Sequence, residues 1–180
     1  AAAAGEDAPV PPAKKVKLTK AEEFKMLQRL ILAGYTQSFD GGRSPRPGEF
    51  TREVYFDHRC ALARNFEAGE KKFGYVDFVV CPKKGGALVF LEVDEGEHKN
   101  SGYTALCDST RMWNICESII LDGSGDKNIL WLRINPDTKF SIGNKNHSPS
   151  NTVRCDAVCN FLDTFEGAPN DPPMRIAYAF

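Results

Sequence analysis

The acids Glu92, Asp94, Glu95 and Glu97 and the imidazole of His98 follow directly on the apolar run Ala87-Leu88-Val89-Phe90-Leu91, with no turn residue between. Carboxylates crowded at the end of a buried segment repel one another and are costly to desolvate without a cation. The chemistry they suggest is capture of a divalent metal by hard oxygen donors. A run apolar on both faces is a central strand. Along it the side chains alternate, so Glu92 and Asp94 share a face with Leu88 and Phe90, while Val93 faces away. A further acid arrives from upstream. Residues Lys72 to Cys81 (KFGYVDFVVC) read as a partner strand, joined by the hairpin signal Pro82-Lys83-Lys84-Gly85-Gly86. With Lys84-Gly85 at the tip and Lys83 facing Gly86, Asp77 falls opposite Glu92, Cβ atoms roughly 5 Å apart, and one Mg²⁺ could bridge the pair. A slip of one residue throws Asp77 onto the other face, so the register is the test.

The surrounding elements must deliver these side chains. A capping-box pattern, Thr19-Lys20-Ala21-Glu22, opens a helix that runs to about Ala33 before Gly34, with Phe24, Leu27, Leu30 and Ile31 as its core stripe. Residues 38–49 (SFDGGRSPRPGE) read as loop, with Arg43 and Arg46 in reach of a phosphate backbone or simply solvated. Glu53 to Cys60 (EVYFDHRC) is a strand, giving three successive antiparallel strands with the hairpin. Thr104 to Leu121 is helical, with Met112, Ile115, Cys116 and Ile119 on one stripe and Asp108 and Arg111 a turn apart on its flank. Ile129 to Ile134 (ILWLRI) is a second strand buried on both sides, closed by Asn135-Pro136-Asp137, so strand, helix and strand form a parallel βαβ unit. A polar loop over Lys139 to Ser150, a helix over Asn151 to Phe165 and an edge strand over Met174 to Phe180 complete the chain. The fold class is α/β: a mixed sheet with an antiparallel start and a parallel crossover, flanked by helices.

At 180 residues and 42% hydrophobic content the chain suits one domain with a real core. The formal net charge of −1 announces no global nucleic-acid binder, although a local basic groove is compatible with a balanced total. Six cysteines without a CxxC pair read as reduced, half-buried thiols of an intracellular protein rather than a disulfide frame or zinc site. With no long apolar run and no secretory segment, a soluble protein with no membrane partner is expected. Residues 1–18 form an Ala/Pro-rich tail expected to be disordered, in which Lys14-Lys15-Val16-Lys17 raises a nuclear-localisation signal as the sharper reading.

Asp77 followed across a hairpin by Glu92-Val93-Asp94 resembles the active-site signature of the PD-(D/E)XK, restriction-endonuclease-like superfamily. It is most similar to a branch with an E-V-D-E-x-Q-H strand and a later strand ending R-x-N-P-D, found in candidate endonucleases of viruses and protists. The matching segments are Glu92-Val93-Asp94-Glu95-Gly96-Glu97-His98 and Arg133-Ile134-Asn135-Pro136-Asp137, with Asp108 and Arg111 matching an acid and an arginine on the intervening helix. The likeness covers about residues 50–140 and makes residues 19–180 a single nuclease-like domain. It implies Mg²⁺ (or Mn²⁺) held directly by Asp77 and Glu92, with Asp94 as a third or water-mediated ligand, and DNA as substrate, RNA not excluded. His98 would act as general base or leaving-group acid, and Arg111 and Arg133 would clamp the scissile phosphate, one of them oriented by Asn135. Three departures bear on it. Val76 precedes Asp77 where the family has proline. Asp94 replaces the usual lysine, a change shared with very-short-patch repair endonucleases, which leaves water activation to the metal, His98 or Lys99. Glu97 stands where the branch has glutamine.

Each of these residues also has a plain reading. Asp77 fits a strand-end turn, Asp94 and Glu95 a solvated strand terminus, His98 a water-facing side chain, and Asp108 with Arg111 an exposed helix pair. His58 and His147 read as surface or satisfied residues. Arg133 is harder to set aside, because a buried guanidinium needs an anionic partner, either a phosphate or Asp94 itself. The first function these readings support is a metal-dependent endonuclease of DNA, nicking or cutting both strands. The second is a catalytically silent nuclease fold that binds nucleic acid or serves assembly; a metallohydrolase using Glu95 and His98 is the third. A two-fold homodimer would present two sites and cut both strands.

Overall fold

A computed structural model of the chain describes residues 20–39, 42–57, 73–94, 105–119, 128–135, 140–142, 145–167 and 174–179. The tail 1–18, His58, Cys60, Glu95, Glu97, His98 and Lys99 lie outside them, as do the side chains of Cys107, Asp108 and His147. The elements are α1 (Ala21–Leu32), β1 (Thr36–Gln37), β2 (Glu49–Asp57), β3 (Phe73–Val80), β4 (Ala87–Val93), α2 (Ala105–Ile119), β5 (Asn128–Ile134), β6 (Phe140–Ile142), β7 (Lys145–His147), α3 (Asn151–Thr164) and β8 (Met174–Ala179). Six strands form one mixed sheet in the order β1-β2-β3-β4-β5-β8. The β2–β3 and β3–β4 pairs are antiparallel, and β4–β5 and β5–β8 are parallel, so the α/β architecture with an antiparallel start and a parallel crossover is observed.

Strands β4 and β5 lie inside the sheet, each paired on both edges, because their residues are apolar on both faces, and every residue of β4 is buried. Leu88, Phe90, Ile129 and Trp131 meet Met112, Ile115, Cys116 and Ile119 of α2, the stripe expected from sequence. On the other face Val89, Leu91, Leu130 and Leu132 meet Met26, Leu27 and Leu30 of α1 and Cys155, Val158 and Leu162 of α3. Cys81, Cys116, Cys155 and Cys159 are buried thiols outside any disulfide, as their spacing suggested.

Four expectations are corrected. Helix α1 is rotated: Glu23, Met26, Leu27 and Leu30 are buried, whereas Phe24 and Ile31 are 52% and 54% exposed. The cause is an ion pair, because Arg52 of β2 donates to Glu23 Oε1 from Nε at 2.8 Å and Nη2 at 2.7 Å and turns that side of the helix inward. The helix also starts without the expected capping box, with Lys20 at the N-cap and no side-chain cap. Strand β2 begins at Glu49 and ends at Asp57, earlier than expected, and recruits Thr36–Gln37 as a short parallel edge. Within the segment read as polar loop, β6 and β7 pair as a small antiparallel ribbon.

The hairpin turns within Pro82–Gly86 as expected, but its tip is Lys83-Lys84, one residue before the expected Lys84-Gly85, with Gly85 N donating to Pro82 O at 2.8 Å and both Gly85 and Gly86 at positive φ. Phe78 pairs with Leu91, Val79 with Phe90 and Val80 with Val89, and the ladder ends there, one step before Asp77 and Glu92. Gly86 also meets the chain after α3: a Cβ there would lie 2.8 Å from Gly167 O, whereas one on Gly85 would meet only Pro47 Cγ at 3.6 Å. Both substitutions incur left-handed strain, but Gly86→Ala adds a backbone clash. It should lose about 1–3 kcal/mol, and Gly85→Ala about 1 kcal/mol, in chemical denaturation. Equal losses would show that the Gly86–Gly167 approach yields freely.

Candidate active site

The site is built where β3 and β4 part. Along β3, Phe78 and Val80 lie in the α1/α3 layer and Val76 in the α2 layer, so the alternation breaks at Asp77. Strand β2 breaks alternation at the opposing residue: Phe50 belongs to the first layer and Val54 and Phe56 to the second, with Glu53 between them at φ 51. No residue is inserted, since Arg52–Phe78 and Val54–Val76 keep one register, so both strands turn over together. At this point the β3–β4 ladder stops, and the amide of Val93 donates instead to Asp77 Oδ2 at 2.8 Å. A side-chain carboxylate thus takes a backbone acceptor's place, which fixes Asp77 beside Glu92.

Glu92 lies on the α2 face over Phe90 and Trp131 and is only 8% exposed. Arg111 of α2 reaches down to it. One Nη1 donates to Glu92 Oε1 at 3.0 Å and to Tyr75 O at 2.7 Å, and the guanidinium carbon stands 5.9 Å from the Trp131 ring centroid. Burial pushes the Glu92 carboxyl up to about 8; Arg111 pulls it down and the charge of Asp77 adds to the rise. Burial likewise lifts Asp77 to about 6 against the pull of the Val93 amide, with the charge of Glu23 adding and those of Arg111 and Lys20 opposing. Two desolvated neighbouring carboxyls, each resisting ionisation, make a place where a cation would be worth most.

Asp94 is engaged otherwise. Arg133 donates to Asp94 Oδ2 from Nε at 3.0 Å and to Oδ1 from Nη2 at 2.6 Å, a bidentate pair. Burial works against the charge of this guanidinium, and the bonds and charge of Asp94 outweigh it, holding Arg133 above its ordinary value. Of the two anionic partners the sequence left open for Arg133, Asp94 occupies that place. The Asp94 amide is anchored too, donating to Ile134 O at 2.8 Å. Asn135 does hold an arginine, but it is Arg154 of α3, whose Nη1 donates to the Asn135 carbonyl at 2.7 Å. Arg43 donates from Nε to Tyr55 O at 3.2 Å and lies 5.2 Å over the Phe56 ring, close to the same end of the sheet. Arg46 is not brought there: it turns the chain into the opposite end of β2, its amide on Glu49 Oε2 at 3.1 Å.

Sequence reasoning missed Glu23, 4% exposed and held by Arg52 and Lys20, which extends the charged cluster to the α1 side of Asp77. The signal was available, because Glu23 is in phase with Leu27 and Leu30 on a helical repeat. Buried Arg154, 1% exposed, gave no such signal. Among the described residues no group of three or more His, Cys, Asp or Glu is arranged to hold a metal ion. Asp77 and Glu92 are the described residues that could hold Mg²⁺, an ion commonly bound through one or two carboxylates plus waters and substrate phosphate. No described helix is long and apolar enough to cross a membrane. No protein-family model, no curated protein and no solved structure matches the chain.

Proposed function

We propose that the chain is a metal-dependent endonuclease with a restriction-endonuclease-like fold, hydrolysing phosphodiester bonds of DNA. The observation that carries this reading is the closeness of half-buried Asp77 to buried Glu92 where β3 and β4 part, each carboxyl raised by burial, with Arg111 against Glu92. These two carboxylates would hold Mg²⁺ or Mn²⁺, which supplies positive charge at the phosphoryl oxygens and a water made acidic enough to attack. Arg111, its side chain 21% exposed, would exchange Glu92 for a phosphate oxygen as negative charge develops. Arg133 and Asp94 neutralise each other and set the ends of β4 and β5, so Arg133 serves as a positioning residue. His98 and Lys99 remain the proton-transfer groups of this reading, and the basic tail its nuclear address.

One observation favours a catalytically silent nucleic-acid-binding or assembly module: Glu92 and Asp94 already have arginine partners, so the fold needs no ion to neutralise them. Incubating supercoiled plasmid with the protein and Mg²⁺ or Mn²⁺, beside an Asp77→Ala/Glu92→Ala variant, separates the two. The enzyme reading expects relaxed or linear DNA from the wild type alone. Intact plasmid with the wild type, or equal cleavage by the variant, removes it.

A further inference from the structure

Three residues of neighbouring strands stand in one row. Glu92 of β4 pairs with Arg133 of β5, and Arg133 pairs with Tyr178 of β8. All three belong to the α2 face: Leu88 and Phe90, Ile129 and Trp131, and Met174, two or four residues before them on the same strands, pack in that layer, whereas Ala177 packs in the other. Tyr178 therefore lies two strand spacings, roughly 10 Å, from Glu92. Burial opposes the charge of Arg133, and Asp94, Glu92 and Tyr178 support it in that order, so the phenol is within electrostatic reach of the guanidinium.

Helix α2 covers one end of this row and leaves the other open. Arg111 leaves the helix on the β3 side, where Nη1 donates to Tyr75 O at 2.7 Å and to Glu92 Oε1 at 3.0 Å. Trp113, two residues on and about 200° around the axis, leaves the opposite flank and is 63% exposed. Beyond β5 the same sheet face carries Ile176 and Tyr178, 45% and 54% exposed. The row thus has a guanidinium and carboxylates at one end and an open ring at the other, all on one face. That order matches a phosphate and the base beside it, the phosphate needing charge and the base a π-face.

We infer that Tyr178 is a substrate-binding residue that stacks the base next to the scissile phosphate, so that the nucleic acid crosses β4, β5 and β8 over the α2 face. This deepens the nuclease reading and rests on it for the phosphate at Arg111. A base inside a duplex keeps its faces on its neighbours, so the base held here is unpaired or extruded.

Stacking is measured apart from backbone binding and from cleavage. The full chain is titrated, in Ca²⁺, against a short fluorescein-labelled DNA single strand and its fully abasic counterpart, and anisotropy gives each Kd. Tyr178→Ala should weaken binding of the base-bearing strand roughly tenfold and leave that of the abasic strand unchanged. Unchanged affinity for the abasic strand also shows that the variant is folded. Tyr178→Phe, which keeps the ring, should bind both strands as the wild type does. A Tyr178→Ala variant that weakens both strands alike, or neither, overturns the stacking role even if the protein cuts DNA. So does a wild-type dimer in sedimentation that Tyr178→Ala dissociates, which gives the exposed β8 residues to a second copy. Base-dependent binding lost in Tyr178→Ala, by a protein that leaves plasmid intact, upholds the role of Tyr178 and removes the nuclease reading.

Discussion

Glu92→Gln is expected to lower metal-dependent cleavage at least about a hundredfold, since changes merely next to metal ligands already cost 10–100-fold. At the same time it should make the protein more stable at pH 8. The second half follows from proton linkage. The Glu92 carboxyl is raised from 4.5 to about 8 and that of Asp77 from 3.8 to about 6, so between those limits the folded chain holds more protons than the unfolded chain. Stability therefore falls as pH rises through that window, in contrast to an ordinary ion-paired acid, whose contribution grows with pH. A neutral amide at position 92 removes the larger part of this loss while keeping an oxygen for Arg111. The expected gain is roughly 1–3 kcal/mol at pH 8, with little change near pH 5. Calorimetry across pH 5 to 8 checks it: the wild-type Tm should decline across the whole range, and that of Glu92→Gln should decline only up to about pH 6, where Asp77 titrates, and level off above it. Addition of Mg²⁺ should raise the wild-type Tm more at pH 8 than at pH 6, because the ion binds the ionised carboxylates. A variant less stable than the wild type at pH 8 would mean that the Arg111–Glu92 pair outweighs desolvation and that the site is already satisfied.

What could be read from the sequence divides along physical lines. Strands β4 and β5 were legible because a strand buried on both faces has to be apolar throughout, and α2 because Met112, Ile115, Cys116 and Ile119 fall on one stripe with no competing face. The β3–β4 register was legible because the turn lies within Pro82 to Gly86, although its tip falls one residue earlier than expected. The rotation of α1 was legible only in part: Glu23 is in phase with Leu27 and Leu30, but nothing along the helix names the distant arginine, Arg52, that pulls it inward. The turn-over at Glu53 and Asp77 was not legible, since there a rule of strict alternation fails on both strands at once while their register is kept. Strand β1 and the β6–β7 ribbon are too short and polar to carry a period. Within the site, residue types could name Asp77, Glu92, Asp94, Arg111 and Arg133 as neighbours. Which acid each arginine takes depends on side-chain reach between elements, which no spacing along one chain encodes.

That division matters most at Asp94, where a metal ligand and a structural counter-ion predict different outcomes. Arg133 is 5% exposed, so Asp94→Ala leaves a guanidinium buried without the carboxylate that holds it and should destabilise the fold by about 3–5 kcal/mol. Removing both charges should relieve most of this, because Arg133→Leu in the Asp94→Ala background exchanges the orphaned charge for an apolar side chain beside Met112. Urea denaturation of the two single variants and the double variant gives the coupling energy directly. A loss below about 1 kcal/mol for Asp94→Ala would place the pair among idle surface bridges. The same double variant then decides the role in cleavage. If Asp94 only neutralises Arg133, the refolded double variant keeps its metal requirement and its metal affinity. If Asp94 leaves Arg133 to hold the ion, stability returns in the double variant while metal-dependent cleavage does not. The bidentate geometry and the anchored Asp94 amide favour the first outcome, because an acid already giving both oxygens to one guanidinium has to break two charged hydrogen bonds before it can bind a metal.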